Sequence, residues 1–92
     1  LRLVGSEMCI RDRHYTIRAP SEHIHKKYDV YLGSAYMLSF GDNRYEQYHD
    51  KLGFYKKLDH LDPKRRLLYN IRHSKDGKTP YYAGWWSKKF LW

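Results

Sequence analysis

The chain is short of sulfur, of aliphatic side chains and of negative charge. One cysteine in 92 residues excludes a disulfide framework and any cysteine-based zinc site. No apolar run exceeds four residues, which excludes a membrane-spanning helix and leaves no secretory h-region in view. There is no glycine-rich phosphate loop; Gly33, Gly41 and Gly53 are isolated punctuation. Ser39, Ser74 and Ser87 lack a nucleophile-elbow pattern. Ten carboxylates face 18 Lys and Arg, a formal net charge of +8. That balance points to polyanionic partners, DNA or RNA first. No cofactor is implied, and with no signal peptide in view and no cysteine outside the first thirteen residues, a reducing intracellular compartment or a virion is the expected location.

Residues 3–13, Leu-Val-Gly-Ser-Glu-Met-Cys-Ile-Arg-Asp-Arg, resemble the one-frame translation of a transposase-based sequencing-library adapter. Met8 to Asp12 correspond to ATG TGT ATA AGA GAC, the run that such adapters carry beside the insert. The competing reading is a native strand at 1–4 followed by a polar turn. Residues 1–13 are therefore expected to be non-native and are set aside from the fold. They carry a net +1, so 79 residues with +7 remain, and the only cysteine, Cys9, leaves with them. All 16 aromatics (ten Tyr, three Trp, three Phe) lie in the remainder, against twelve Leu, Ile and Val. A core for this chain has to be built from rings, whose hydroxyl and indole groups then need partners.

Along the 79 residues, 14–27 reads as an irregular arm with Pro20 and three histidines. Residues 28–32 and 36–40 are β-prone and are joined by Gly33-Ser34-Ala35, which predicts a hairpin. Tyr28, Val30 and Leu32 share one face, to be matched by Tyr36, Leu38 and Phe40. Asn43 with Glu46 three residues on reads as a capping box for a helix over 44–52, stopped at Gly53. Tyr45, Tyr48 and Leu52 would be its inward stripe. Asp62-Pro63 opens a second helix reaching about His73, with Leu67, Leu68 and Ile71 as the expected buried stripe. A polar loop over 74–78 precedes a short helix carrying Tyr82, Trp85 and Trp86 inward. The terminal Phe90-Leu91-Trp92 is expected to dock. The predicted class is α+β: residues 28–92 form one small domain, a β-hairpin packed by two or three short helices.

The densest polar cluster is Asp59, His60, Asp62, Arg65, Arg66, Arg72 and His73. Three arginines on two helical turns suit charge-assisted, often bidentate bonds to phosphate. The alternative is that Asp59 and Asp62 pair with them, so Asn43, Glu46, Asp59 and Asp62 are read as capping or pairing residues. Arg65, Arg66, Arg72, His73, Lys56, Lys57, Lys88 and Lys89 are the candidate nucleic-acid contacts. The lysine pairs interleave with Phe54, Tyr55, Phe90 and Trp92, a base-stacking pattern that core packing would also produce. No catalytic set is assigned. A metal-dependent nuclease using His49, His60 or His73 with Asp50, Asp59 or Asp62 is a third reading, without a recognised spacing. His23 and His25 carry no metal assignment either. Between Lys51 and Lys89, eleven cations face three carboxylates, so the partner is sought in this half.

The ordered segments Lys27-Tyr28-Asp29-Val30-Tyr31, Ser39-Phe40-Gly41-Asp42, Arg44-Tyr45-Glu46-Gln47-Tyr48, Leu58-Asp59-His60, Asp62 with Arg65-Arg66, Arg72-His73, Trp85-Trp86-Ser87 and Leu91-Trp92 carry a resemblance. Together, over residues 26–92, they resemble a family of small, uncharacterised basic proteins of nucleocytoplasmic large DNA viruses, with shorter tailed-phage relatives. The hairpin loop is shortened here. The resemblance implies a viral origin and brings no activity with it; the partners expected from the basic balance and the small core are DNA or RNA, a viral structural protein or a second copy. The alternative to nucleic-acid contact is a capsid-associated module docking through its aromatic C-terminus.

Overall fold

A computed structural model describes residues 4–10 and 13–92 and has the α+β class. Four strands, β1 (Val4–Ile10), β2 (Arg13–Ala19), β3 (Lys26–Leu32) and β4 (Ala35–Asp42), form an antiparallel meander in sequence order. An irregular stretch over 43–61 holds one 3-10 turn, Lys56–Leu58. Two helices follow, α1 (Pro63–Arg72) and α2 (Ala83–Phe90).

The predicted hairpin is the β3–β4 half of this sheet, and Gly33 turns it at φ +61°. Val30 faces Leu38 and Tyr28 faces Phe40, as the alternation requires. A bulge at Val30/Tyr31 then shifts the register, so Tyr36 pairs with Tyr31 and leaves the face it was expected to share. The irregular arm predicted over 14–27 is corrected: its first half is β2, with Tyr15, Ile17 and Ala19 alternating inward. The period-two signal was there, interrupted only by His14, Thr16 and Arg18 on the outer face.

Residues 4–10 were set aside from the fold, yet they form an edge strand paired with β2 along its length. An open sheet edge accepts any extended segment, because the ladder uses backbone groups alone. Of the β1 side chains that are described, Glu7 and Cys9 are exposed and Ile10 packs against the buried cluster.

That cluster is aromatic. Trp86 is fully buried, edge-on to Tyr15 at 5.2 Å and stacked near Phe40 at 6.1 Å and Phe90 at 5.9 Å. Its indole N–H donates to Pro80 O at 2.9 Å. Phe90 and Leu91 are buried beside it, so the C-terminal residues dock on their own core. Tyr82, expected inward, is exposed, because the helix begins at Ala83 and not at 81.

No helix forms over 44–52, and Asn43 caps nothing there. The His49 and Lys51 N–H groups donate to Leu91 O and Phe90 O, at 3.0 and 2.9 Å. Asp50 accepts from its own neighbours, the N–H groups of Leu52 and Tyr55. Long-range acceptors and a competing aspartate outbid an i→i−4 ladder of modest propensity.

The α1 start is as read: Asp62 accepts from Lys64 N at 2.9 Å and Arg65 N at 3.4 Å, with Pro63 in the first turn. Its expected buried stripe is reversed. Leu67, Leu68 and Ile71 are 59%, 46% and 59% exposed. The side turned inward carries Tyr69, stacked at 4.1 Å and 1° on Trp92 and bonded to Ser87 Oγ at 3.1 Å.

Gly41 has φ +76°, and an added Cβ would lie 2.9 Å from Leu91 Cδ1 and 3.0 Å from Lys27 Cδ. Gly53 has φ +88° with open space around it. Gly41→Ala is expected to cost about 2–3 kcal/mol in urea unfolding and Gly53→Ala only about 1 kcal/mol; equal costs would contradict the Leu91 contact. A chain beginning at His14 is expected to keep the near-UV circular dichroism of the Trp86 cluster and cooperative unfolding. Loss of that signal would make β1 integral.

Candidate nucleic-acid interface

Asp59 and Asp62 do not hold the arginines. Asp62 is the α1 cap, and Asp59 accepts from Gln47 Nε2, from Asp50 N at 2.7 Å and from His49 Nδ1 at 2.9 Å. Arg65 pairs with Glu46 at 3.0 Å, both side chains about half exposed, a contact of a few tenths of a kcal/mol at most. Arg66 donates Nε–H to Trp92 O at 2.8 Å and lies 4.9 Å over the Tyr48 ring, tying α1 to the chain end. His73 is the α1 C-cap; its ring stacks on Tyr69 at 4.1 Å and meets Asp76 at 2.9 Å. Both Arg66 and His73 are thus engaged in packing. Arg72 makes no ion pair among the described residues and sits in the last turn, where a cation suits the helix dipole.

The lysines are brought together by backbone acceptors. Lys88 Nζ donates to His73 O, which sets α2 beside the end of α1 and Arg72. Lys51 Nζ donates to Lys89 O at 3.0 Å. Lys89 Nζ stands 5.2 Å over the Trp85 ring. Lys78, Lys88 and Lys89 with Trp85 and Gly77 line an open depression of about 320 Å³ whose wall contains no carboxylate. Lys56 and Lys57 lie apart from this, beside Phe54 and Tyr55 on a second depression of about 680 Å³. Sequence reading missed Lys78, Lys51 and Trp85 as site residues. Only the count of cations over 51–89 hinted at the two lysines; the polar loop over 74–78 with its Asp76-Gly77 turn is legible in sequence, but its approach to Trp85 is not.

The acidic and titratable groups are used inside. Asp29, buried, accepts from Ser21 Oγ, Ser39 Oγ at 2.6 Å, Glu22 N at 2.9 Å and His23 Nδ1 at 3.1 Å. Burial pushes its carboxyl up, and those bonds more than offset this, leaving it below the usual carboxylate range. Asp59 is held low in the same way: burial raises it, Gln47, the Asp50 N–H and His49 lower it further. Buried Lys27 donates to Tyr45 O at 2.9 Å and to Gln47; desolvation lowers its pKa despite Asp50, Asp42 and Asp59 nearby. Burial, then the Arg65 charge, lowers His60, whose Nδ1 accepts from Asp62 N at 3.0 Å. His49, His60 and His73 each spend Nδ1 on a separate partner. Among the described residues no group of three His, Cys, Asp or Glu is placed to hold a metal, and no helix is long and apolar enough to cross a membrane.

Compared with protein-family models, curated proteins and solved structures, the chain matches none.

Asp29 and Asp59 stay ionised in the fold below the pH at which the unfolded chain takes up protons. Their contribution is therefore complete above about pH 4 and lost as pH falls below it. His60, kept neutral, adds loss of the same sign starting near pH 6.5. Urea midpoints are expected to fall steadily from pH 6.5 to 3. Asp59→Asn is expected to lower the pH 7 midpoint and flatten the acid limb; an unchanged slope would contradict the assignment.

Proposed function

We propose that this chain is a non-enzymatic basic protein of a DNA virus that contacts nucleic acid, in the infected cell or in the virion. The observation that carries the reading is the pair Lys78 and Lys89 beside Trp85 in a depression with no carboxylate in its lining, where Lys88 is anchored to His73 O and the neighbouring Asp76 is turned to the His73 ring. An indole face takes a base by stacking, and ammonium groups around it meet the flanking phosphates, a combination indifferent to sequence. Lys51, whose ammonium reaches Lys89 O, extends the same positive surface. The viral assignment rests on the resemblance over residues 26–92, and residues 1–13 remain, on this reading, adapter-derived.

The partner reading through a free aromatic C-terminus has less behind it, since Phe90 and Leu91 are buried and Trp92 is stacked on Tyr69. The nuclease reading lacks a metal-ligand group among the described residues.

Fluorescence anisotropy with a labelled single-stranded oligonucleotide checks the proposal. Binding is expected at low salt, with log K falling against log salt by about 0.7 per phosphate contact. Lys78→Ala with Lys89→Ala is expected to weaken binding about tenfold or more and to reduce that slope by about 1.4. Trp85→Ala is expected to cost about 1–3 kcal/mol without changing the slope. No binding at low salt, or binding indifferent to these substitutions, overturns the reading.

A further inference from the structure

The amphipathic helix α1 is mounted with its apolar side outward. Leu67, Leu68 and Ile71 lie three and four residues apart on one stripe and face solvent, while no α1 residue is buried. Tyr69, Arg66 and His73 hold the opposite side through Trp92, Tyr48 and Asp76. The orientation is thus anchored by polar and aromatic contacts at both ends, and the stripe is not awaiting a slight rotation into the core.

Charge says what covers it. Lys64 lies three and four residues before Leu67 and Leu68, and Arg72 four residues after Leu68. Between Pro63 and Arg72 there is no carboxylate at all. A second copy, paired antiparallel through this stripe, would bring Lys64 against Arg72 at each end, with +8 on both chains. Phosphate backbone cannot cover three aliphatic side chains, which leaves the Trp85 depression and this stripe with different occupants. Three side chains also fall far short of the ~800 Å² per partner of a standard interface, so attraction between flanking charges has to supply part of the affinity.

We infer that the outer face of α1 is a docking site for an acidic amphipathic helix of a partner protein, its apolar ridge seated on Leu67, Leu68 and Ile71. Glutamates or aspartates flanking that ridge would meet Lys64 and Arg72. This is helix-on-helix recognition read as i, i+1, i+4 anchors. It is independent of whether the Trp85 depression binds nucleic acid.

The probe is a fluorescein-labelled helical peptide of about 18 residues, with leucines on one stripe and glutamates beside it. Two control peptides carry lysine for glutamate and serine for leucine. The acidic peptide is expected to bind the full chain at about tens of micromolar, and each control at least about tenfold more weakly. Leu68→Ser with Ile71→Ser, at exposed positions, is expected to weaken peptide binding about tenfold or more. The same variant should keep its melting temperature and its affinity for single-stranded DNA. Lys64→Glu is expected to reverse the preference between the acidic and basic peptides. Equal binding of the two, indifference to the double substitution, or displacement of the peptide by DNA overturns the inference. So does self-association in sedimentation velocity that the double substitution abolishes, since the occupant would then be a second copy.

Discussion

Everything after the sheet depends on how Trp86 is buried. A chain with so few aliphatic side chains buries enough area only by stacking rings, and Trp86 is where Tyr15, Phe40 and Phe90 meet. Seating that indole lays α2 across β4 and brings the chain end down beside the sheet. The Phe90 and Leu91 carbonyls are then presented to residues 49–51, and Trp92 is presented to Tyr69. The loop over 43–61 and the tilt of α1 are consequences of this one placement.

A second constraint follows from the polar groups carried inward with those rings. Tyr28 is buried and gives its hydroxyl to Asp50; Lys27 gives its ammonium to Gln47 and Tyr45; Gln47 reaches on to Asp59. Leaving any one of these unpaired would cost about 1–3 kcal/mol, so an irregular loop is held as firmly as a regular element. The same network creates the surface field. Asp29, Asp50 and Asp59 are drawn inside, whereas most lysines and arginines remain outside. Folding thereby gathers a modest excess of positive charge around the Trp85 depression, whose lining holds no carboxylate.

The site was partly legible beforehand. The cation excess over 51–89 is a property of composition, and within it Lys88 and Lys89 were named only as one of two lysine pairs interleaved with aromatics. Arg66 and His73 looked equally suitable, but contacts from Trp92, Tyr48 and Asp76, remote in sequence, turn them to packing. Lys78 and Trp85 could not be paired from sequence, because the six residues between them pass from a turn into the start of α2. In the fold, β2 was legible as alternation at Tyr15, Ile17 and Ala19 and was obscured by the histidines around it.

Local chemistry alone determined the β3–β4 hairpin, the Asp62-Pro63 start of α1, the positive φ of Gly33, Gly41 and Gly53, and the aromatic nature of the core. Each of these depends on neighbours within a few residues or on composition. Tertiary structure decided against a helix over 44–52, where the Asn43 and Glu46 capping pattern competes with acceptors some forty residues away. It also decided which side of α1 faces inward. Leu67, Leu68 and Ile71 form the better apolar stripe, but the place beside the core was already filled by Trp92, whose flat face suits the Tyr69 ring. Periodicity says that a helix has two faces; only the shape of what it packs against chooses between them.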